Sequence, residues 1–105
     1  MNHRRERLLS SLQRLTAEFL ERQAGGQSLI TVTGLELSSD GRQATVLVSV
    51  FPEAREAAAL DFANRQQAEL RQYIKDHLQL RQLPRFHFGL DEGEKHRQKV
   101  EELLK

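Results

Sequence analysis

Among the residues able to do chemistry, the bases are the ones whose spacing stands out. From Glu69 to Asp91 the chain reads ELRQYIKDHLQLRQLPRFHFGLD, and between Arg65 and His87 the cations Arg65, Arg71, Lys75, Arg81 and Arg85 outnumber the acids Glu69 and Asp76. On a helical wheel Ala68, Arg71 and Lys75 fall on one side, beside the apolar line Leu70, Ile74 and Leu78. Cations so placed attract a phosphate backbone whatever its base sequence. Aromatic interleaving is thin: Tyr73 is the one ring expected near this surface, because Phe86 and Phe88 alternate as core residues do.

Other chemistries find less support. His3, His77, His87 and His96 include no pair three or four residues apart, so the usual helical cue for a metal is missing. His87, between two phenylalanines, is expected on the outer side of a strand. Ser38, Ser39 and Asp40 are what a hairpin turn requires and carry no nucleophile-elbow pattern. Gly25 and Gly26 lack the lysine and hydroxyl residue of a phosphate loop and read as a helix end. Carboxylates sit among bases on helical faces, where pairing across one turn explains them. No cofactor site is indicated.

The elements that must position the bases follow from periodicity. Leu8, Leu12, Leu15 and Phe19 recur at helical spacing, widened by Leu9 and Leu20, so Arg5 to Gln23 is a helix that Ala24 to Gln27 should end. SLITVTGLELSSDGRQATVLVSVF is a hairpin turning at Asp40-Gly41. Its first strand is expected to place Leu29, Thr31, Thr33, Leu35 and Leu37 on one face, its second Ala44, Val46, Val48 and Val50. Pro52 closes the second strand. Glu53 to Leu83 returns to a helical pattern whose stripe falters at Gln66 and Gln67, which predicts a bend. Pro84 stops that helix; Phe86, Phe88 and Leu90 then alternate as a third strand, and EGEKHRQKVEELLK makes a terminal helix with Val100, Leu103 and Leu104 on one side. Helices covering one face of three strands make a single α+β domain over residues 1–105.

The whole composition is permissive rather than directive. Sixteen bases against fifteen acids in 105 residues leave a net charge of +1, so any attraction to nucleic acid must come from local clustering. With no cysteine, disulfides and thiolate chemistry are excluded. MNHRRERLLSSLQRL has no apolar run of signal-peptide length, and charges interrupt every later apolar segment, so a cytoplasmic protein without a membrane span is expected.

LITVTGLELSSDGRQATVLVSVF (Leu29 to Phe51) followed by LRQLPRFHFGLD (Leu80 to Asp91) resembles ribosome-binding factor A, a bacterial assembly factor of the small ribosomal subunit. Thr31, Val32, Thr33, Glu36, Leu37, Ser38 and Asp40 match the first-strand motif of that family, and Leu80, Arg81, Pro84, Phe88 and Asp91 the later one. The resemblance implies a type II KH-like two-layer sandwich in the order α-β-β-α(kinked)-β-α, with an interhelical kink of the Ala-x-Gly kind in place of an RNA-binding glycine loop. It also implies binding to the small (30S) subunit and its 16S rRNA late in maturation, near the decoding region and the processed end of the RNA, without catalysis or a small-molecule substrate. Two departures stand out. Gln66, Gln67 and Ala68 occupy the kink, and alanine there, the best helix former, favours a shallower one. Ala24 to Ser28 replace an acidic-proline-basic tripeptide.

The RNA-binding expectation therefore falls on Arg71, Lys75, Arg81 and Arg85, with Arg4, Arg5 and Arg7 as outer phosphate contacts, in a chain that is a monomer when free. The alternative is a protein-interaction or dimerisation module using the first helix or an open sheet edge.

Overall fold

A computed structural model describes residues 3–23 and 29–104. Its elements are helix α1 (His3–Gln23), strands β1 (Leu29–Leu37) and β2 (Gln43–Phe51), a 3₁₀ turn (Glu53–Arg55), helices α2 (Glu56–Arg65) and α3 (Gln67–His77), strand β3 (Arg85–Leu90) and helix α4 (Glu92–Leu104). The expected helix end at Ala24 to Gln27, and the tripeptide position at Ala24 to Ser28, lie outside the described residues.

The stripe read from α1 is the buried one: Leu12, Leu15, Thr16, Phe19 and Leu20 pack inward. They meet Ala44, Val46 and Val48 of β2, Phe86 and Phe88 of β3, and Ala63, Leu70 and Ile74 of α2 and α3. Thr16 is the one polar residue buried in this core among the described residues, and its hydroxyl has no hydrogen-bond partner. The sheet runs β1-β2-β3, with β1 antiparallel and β3 parallel to β2. A parallel neighbour needs a long crossover, and α2 with α3 supplies it. The protein measures 46 × 35 × 18 Å between Cα atoms. Its thin dimension accommodates one helical layer on one sheet, which leaves the second sheet face uncovered by the described residues.

The hairpin turn forms where Asp40-Gly41 predicts it. Gly41 takes a φ of 74°, accessible to glycine at no steric cost. Asp40 Oδ1 accepts from the Ser38 hydroxyl at 2.7 Å and from the Arg42 N–H at 3.0 Å, and these bonds, the hydroxyl foremost, hold its carboxyl below the usual range.

One expectation for β1 is corrected. Val32 pairs with Val48 but Gly34 with Leu47, so Thr33 is an extra residue in a bulge. Alternation resets there. Ile30 and Val32 pack against the core before the bulge, Leu35 and Leu37 after it, while Leu29 and Thr31 are exposed. The single-face assignment of Leu29, Thr31, Thr33, Leu35 and Leu37 assumed an uninterrupted pleat.

The predicted bend is a break between two helices. At Gln66 the backbone leaves the helical region (φ −89°, ψ 18°), and its N–H donates to the Ala63 carbonyl at 3.1 Å, one residue short of the α-helical step. Two amides brace this break against β3. Asn64 accepts from the Phe88 N–H at 2.9 Å and donates to the Phe88 carbonyl at 3.3 Å; Gln67 does the same for Phe86 at 2.7 and 2.5 Å.

Helix α4 stands apart from the core. Asp91 caps it, accepting from the Glu94 N–H at 2.9 Å, and its other carboxylate oxygen accepts from the Thr33 hydroxyl at 2.5 Å. Lys95 ties the next turn to Glu53 and Glu56 at 3.1 and 3.0 Å. Beyond that no α4 residue is buried, and Val100, Leu103 and Leu104 face solvent.

Candidate nucleic-acid interface

The expected bases do not form one uniform row, because the structure gives them different tasks. Arg71 turns inward: its guanidinium is half-buried, donates to the Leu83 carbonyl at 3.1 Å and keeps a buried Nε–H without a partner. It holds the segment between α3 and β3 rather than projecting along the surface from the bend. Arg5 does similar work at the hairpin, donating to the Leu37 and Ser38 carbonyls at 2.8 and 3.3 Å. Lys75, Arg81, Arg85, Arg4 and Arg7 are exposed.

Two of these, Arg81 and Arg85, belong to the hairpin end of the sheet. The Arg85 N–H donates to the Arg42 carbonyl at 2.9 Å, bringing the start of β3 against the hairpin turn. With its amide turned to suit its neighbours, Gln82 donates to the Asp40 carbonyl at 3.2 Å and accepts from Arg42 Nε at 3.1 Å. The Leu78–Pro84 segment carrying Arg81 is thereby fastened to the same turn, and Arg5 links the first turn of α1 to it. Arg5, Arg42, Arg81 and Arg85 thus belong to one end of the molecule, drawn from four separate stretches of chain. Lys75 sits one helical turn beyond Arg71 on α3.

Charge pairing differs between the two ends. Around α4 two of the cations are held at short range by paired carboxylates: Lys95 between Glu53 and Glu56, and Arg97 between Glu94 and Glu101. The two carboxylates beside Lys95, Glu56 more than Glu53, raise the pKa of its ammonium. Arg65, near the bend, is paired with Asp61 at 3.4 Å. Among the described residues no salt bridge engages Arg42, Arg81 or Arg85; the nearby acid, Asp40, is held first by the turn and attracts the Arg42 charge only as a lesser contribution. Guanidiniums without a salt bridge keep donors for phosphate oxygens, in Arg42 those other than the Nε–H that Gln82 accepts.

Arg42 is the residue that sequence reasoning missed. In the sequence it is one base after a turn, and only the parallel pairing of Gln43 with Arg85 makes it a neighbour of the β3 cations. Asn64, and the bracing role of Gln67, were missed for a like reason, since their partners are backbone groups twenty-four and nineteen residues away in sequence. Of the expected kink residues, Gln66 is the helix break, and Gln67 and Ala68 open α3, with Gln67 carrying the bracing amide. His87 is exposed on β3, as expected of an outer strand residue. Among the described residues no three His, Cys, Asp or Glu side chains are grouped to hold a metal ion, and no helix is long and apolar enough to cross a membrane.

The chain and its fold have counterparts among known proteins. The chain is 34% identical to ribosome-binding factor A of Koribacter versatilis over 100% of its own length and 88% of that protein's, and 33% identical to that of Thermomicrobium roseum over 99% and 83%. The crystal structure of ribosome-binding factor A from Thermus thermophilus superposes with a TM-score of 0.74 at 30% identity, covering 81% of this chain and 93% of that one. A homology model of the Thermus thermophilus factor, fitted into a cryo-electron-microscopy map of a 30S complex with it, superposes at 0.69 and 31% identity over 79% and 90%. The fold expected from the resemblance is therefore the observed one, with the kinked helix resolved as α2 and α3. Residues 4–104 match the family model for ribosome-binding factor A, and the chain belongs to that family, one of ribosome-binding factors and not of enzymes.

Proposed function

We propose that this protein binds the small ribosomal subunit by laying the cationic end of its sheet on the phosphates of 16S rRNA, acting late in subunit maturation as a non-catalytic factor. The observation that carries this is the convergence of Arg42, Arg81 and Arg85 without ion pairs on one braced surface, in a family whose Thermus thermophilus member has been fitted into a 30S complex. Lys75 and the first turn of α1, with Arg4 and Arg7, extend the surface. Arg5 and Arg71 serve it by holding the hairpin and the Leu83 carbonyl. No small molecule or cofactor is required, and the location is that of the ribosome, the cytoplasm.

Both sheet edges are protected in ways that favour a monomer over the dimerisation reading: β1 by its bulge and β3 by the two amides. Co-sedimentation with immature small subunits tests the proposal. Arg42→Glu with Arg85→Glu should remove the protein from the subunit fraction while its circular dichroism spectrum is unchanged; undiminished co-sedimentation would overturn it.

A further inference from the structure

The uncovered sheet face has a composition that the fold does not account for. Its cross-strand rows, read from the hairpin, are Gln43 with Arg85; Glu36, Thr45 and His87; Gly34, Leu47 and Gly89; then Thr31 with Ser49; and Leu29 with Phe51. Leu47, on the central strand, is flanked on both sides by glycine. Neither glycine is imposed by the backbone, since Gly41 alone has positive φ among the described residues. Neither is imposed by crowding: a Cβ at Gly89 would meet nothing within 4 Å, and one at Gly34 would meet Leu47 Cδ1 at an ordinary 3.6 Å. Glycine inside a strand weakens it and often marks a place where something approaches the backbone closely.

Two exposed rings border this strip. His87 precedes Gly89 by two residues on β3, and Phe51, 73% exposed, lies four residues beyond Leu47 on β2, about 13 Å along the strand. Phe51 is an exposed aromatic that the sequence pattern had treated only as the end of a strand. The face is continuous with the cationic end through Arg85, which occupies its first row. Asp91, held ionised by the Thr33 hydroxyl and the Glu94 N–H, closes the far end of β3, while Glu36, one row from Arg85, stands two strands away on β1. Phosphates therefore belong at Arg42 and Arg85, and neutral rings over the strip.

We propose that this sheet face, from His87 across Gly34, Leu47 and Gly89 to Phe51, is a stacking platform for unpaired bases of an RNA strand whose phosphates sit on Arg42 and Arg85. The inference rests on the RNA-binding reading above and adds the part of the RNA that is held. A base plane seats against bare peptide and the Leu47 methyls only where no Cβ intervenes, and rings of any base identity stack alike.

The test is fluorescence anisotropy with a short labelled single-stranded oligouridine and its abasic counterpart, which carry the same phosphates. Wild-type protein should bind the base-bearing strand about tenfold more tightly. Gly89→Val, placed in open space on a strand that favours valine, and Phe51→Ala, at an exposed position, should each melt no lower than wild type by more than a degree or two, yet lose that preference. Arg85→Glu should weaken both strands alike. Equal binding of the two strands by wild type, or a preference that survives in Gly89→Val, sinks the platform while leaving phosphate binding intact. Loss of small-subunit binding in Gly89→Val with an unchanged oligonucleotide preference would assign the face to a protein partner instead. Absence of binding to either strand would remove the RNA reading, and the platform with it.

Discussion

Gln67 meets Phe86 as one strand meets another: its side-chain oxygen accepts from the Phe86 N–H at 2.7 Å and its nitrogen donates to the Phe86 carbonyl at 2.5 Å. Asn64 repeats the pattern at Phe88, so two amide side chains occupy the outer hydrogen-bonding sites of the edge strand. Gln67→Ala should destabilise the protein by about 1–3 kcal/mol, since both backbone groups lose their partner in a half-buried setting. Urea denaturation measures the loss, and amide exchange at Phe86 should accelerate ahead of its neighbours. Unchanged protection at Phe86 would mean that the brace contributes nothing.

Arg71 and Arg85 predict opposite outcomes. Arg71→Lys keeps the charge but loses the fork that reaches the Leu83 carbonyl, so stability should fall by about 1–2 kcal/mol. Arg85→Gln touches an exposed side chain and should leave the urea midpoint where it is. On RNA the ranking reverses: Arg85→Gln should lower the slope of log affinity against log salt by about one phosphate contact. A stability loss at Arg85 without a change in that slope would contradict the division of labour.

Thr16 offers a gain. Its hydroxyl is fully buried on the inward face of α1 with no hydrogen-bond partner, and valine has the same shape without the desolvation cost. Thr16→Val should stabilise by about 1 kcal/mol, a rise in Tm of about 4–8 °C. A melting point at or below wild type would show that the hydroxyl is satisfied in solution.

Acid should loosen α4 before the core. Asp91 is held ionised first by the Thr33 hydroxyl and then by the Glu94 N–H, which puts its folded pKa below its unfolded one. A depressed carboxylate contributes stability that is complete above the unfolded value, near pH 4, and lost as pH falls through the folded value. Asp91→Asn should therefore flatten the acid limb of an unfolding profile recorded from about pH 5 to about pH 2. Thr33→Val should raise the Asp91 titration midpoint seen by NMR; a midpoint that stays put would show the hydroxyl bond to be absent in solution.

How much of this was legible beforehand depends on the range of the interaction. Periodicity is local, so Leu12, Leu15 and Phe19 announced a helix face, Ala44, Val46 and Val48 a strand face, and the missing apolar residue at Gln66 a break. Asp40-Gly41 specified its turn through glycine's access to positive φ and the aspartate's reach to nearby backbone groups. The bulge at Thr33 was invisible, because a bulge is a mismatch between two strands and neither strand alone records it.

The cationic site shows the same divide. Sequence alone determined the supply of charge and the elements carrying it: bases on α3, on the segment before β3 and at the start of β3. Tertiary structure decided which of them remain available. Arg71 and Arg65 found partners in a carbonyl and a carboxylate, while Arg42 joined Arg85 only because β3 lies parallel to β2. It also left one sheet face bare, turning Gly34, Leu47, Gly89 and Phe51 from strand residues into a surface. Pairing across a sheet brings together residues about forty positions apart, and the free energy that selects those pairs comes from burying the opposite face, a property of the assembled layers and of no single segment.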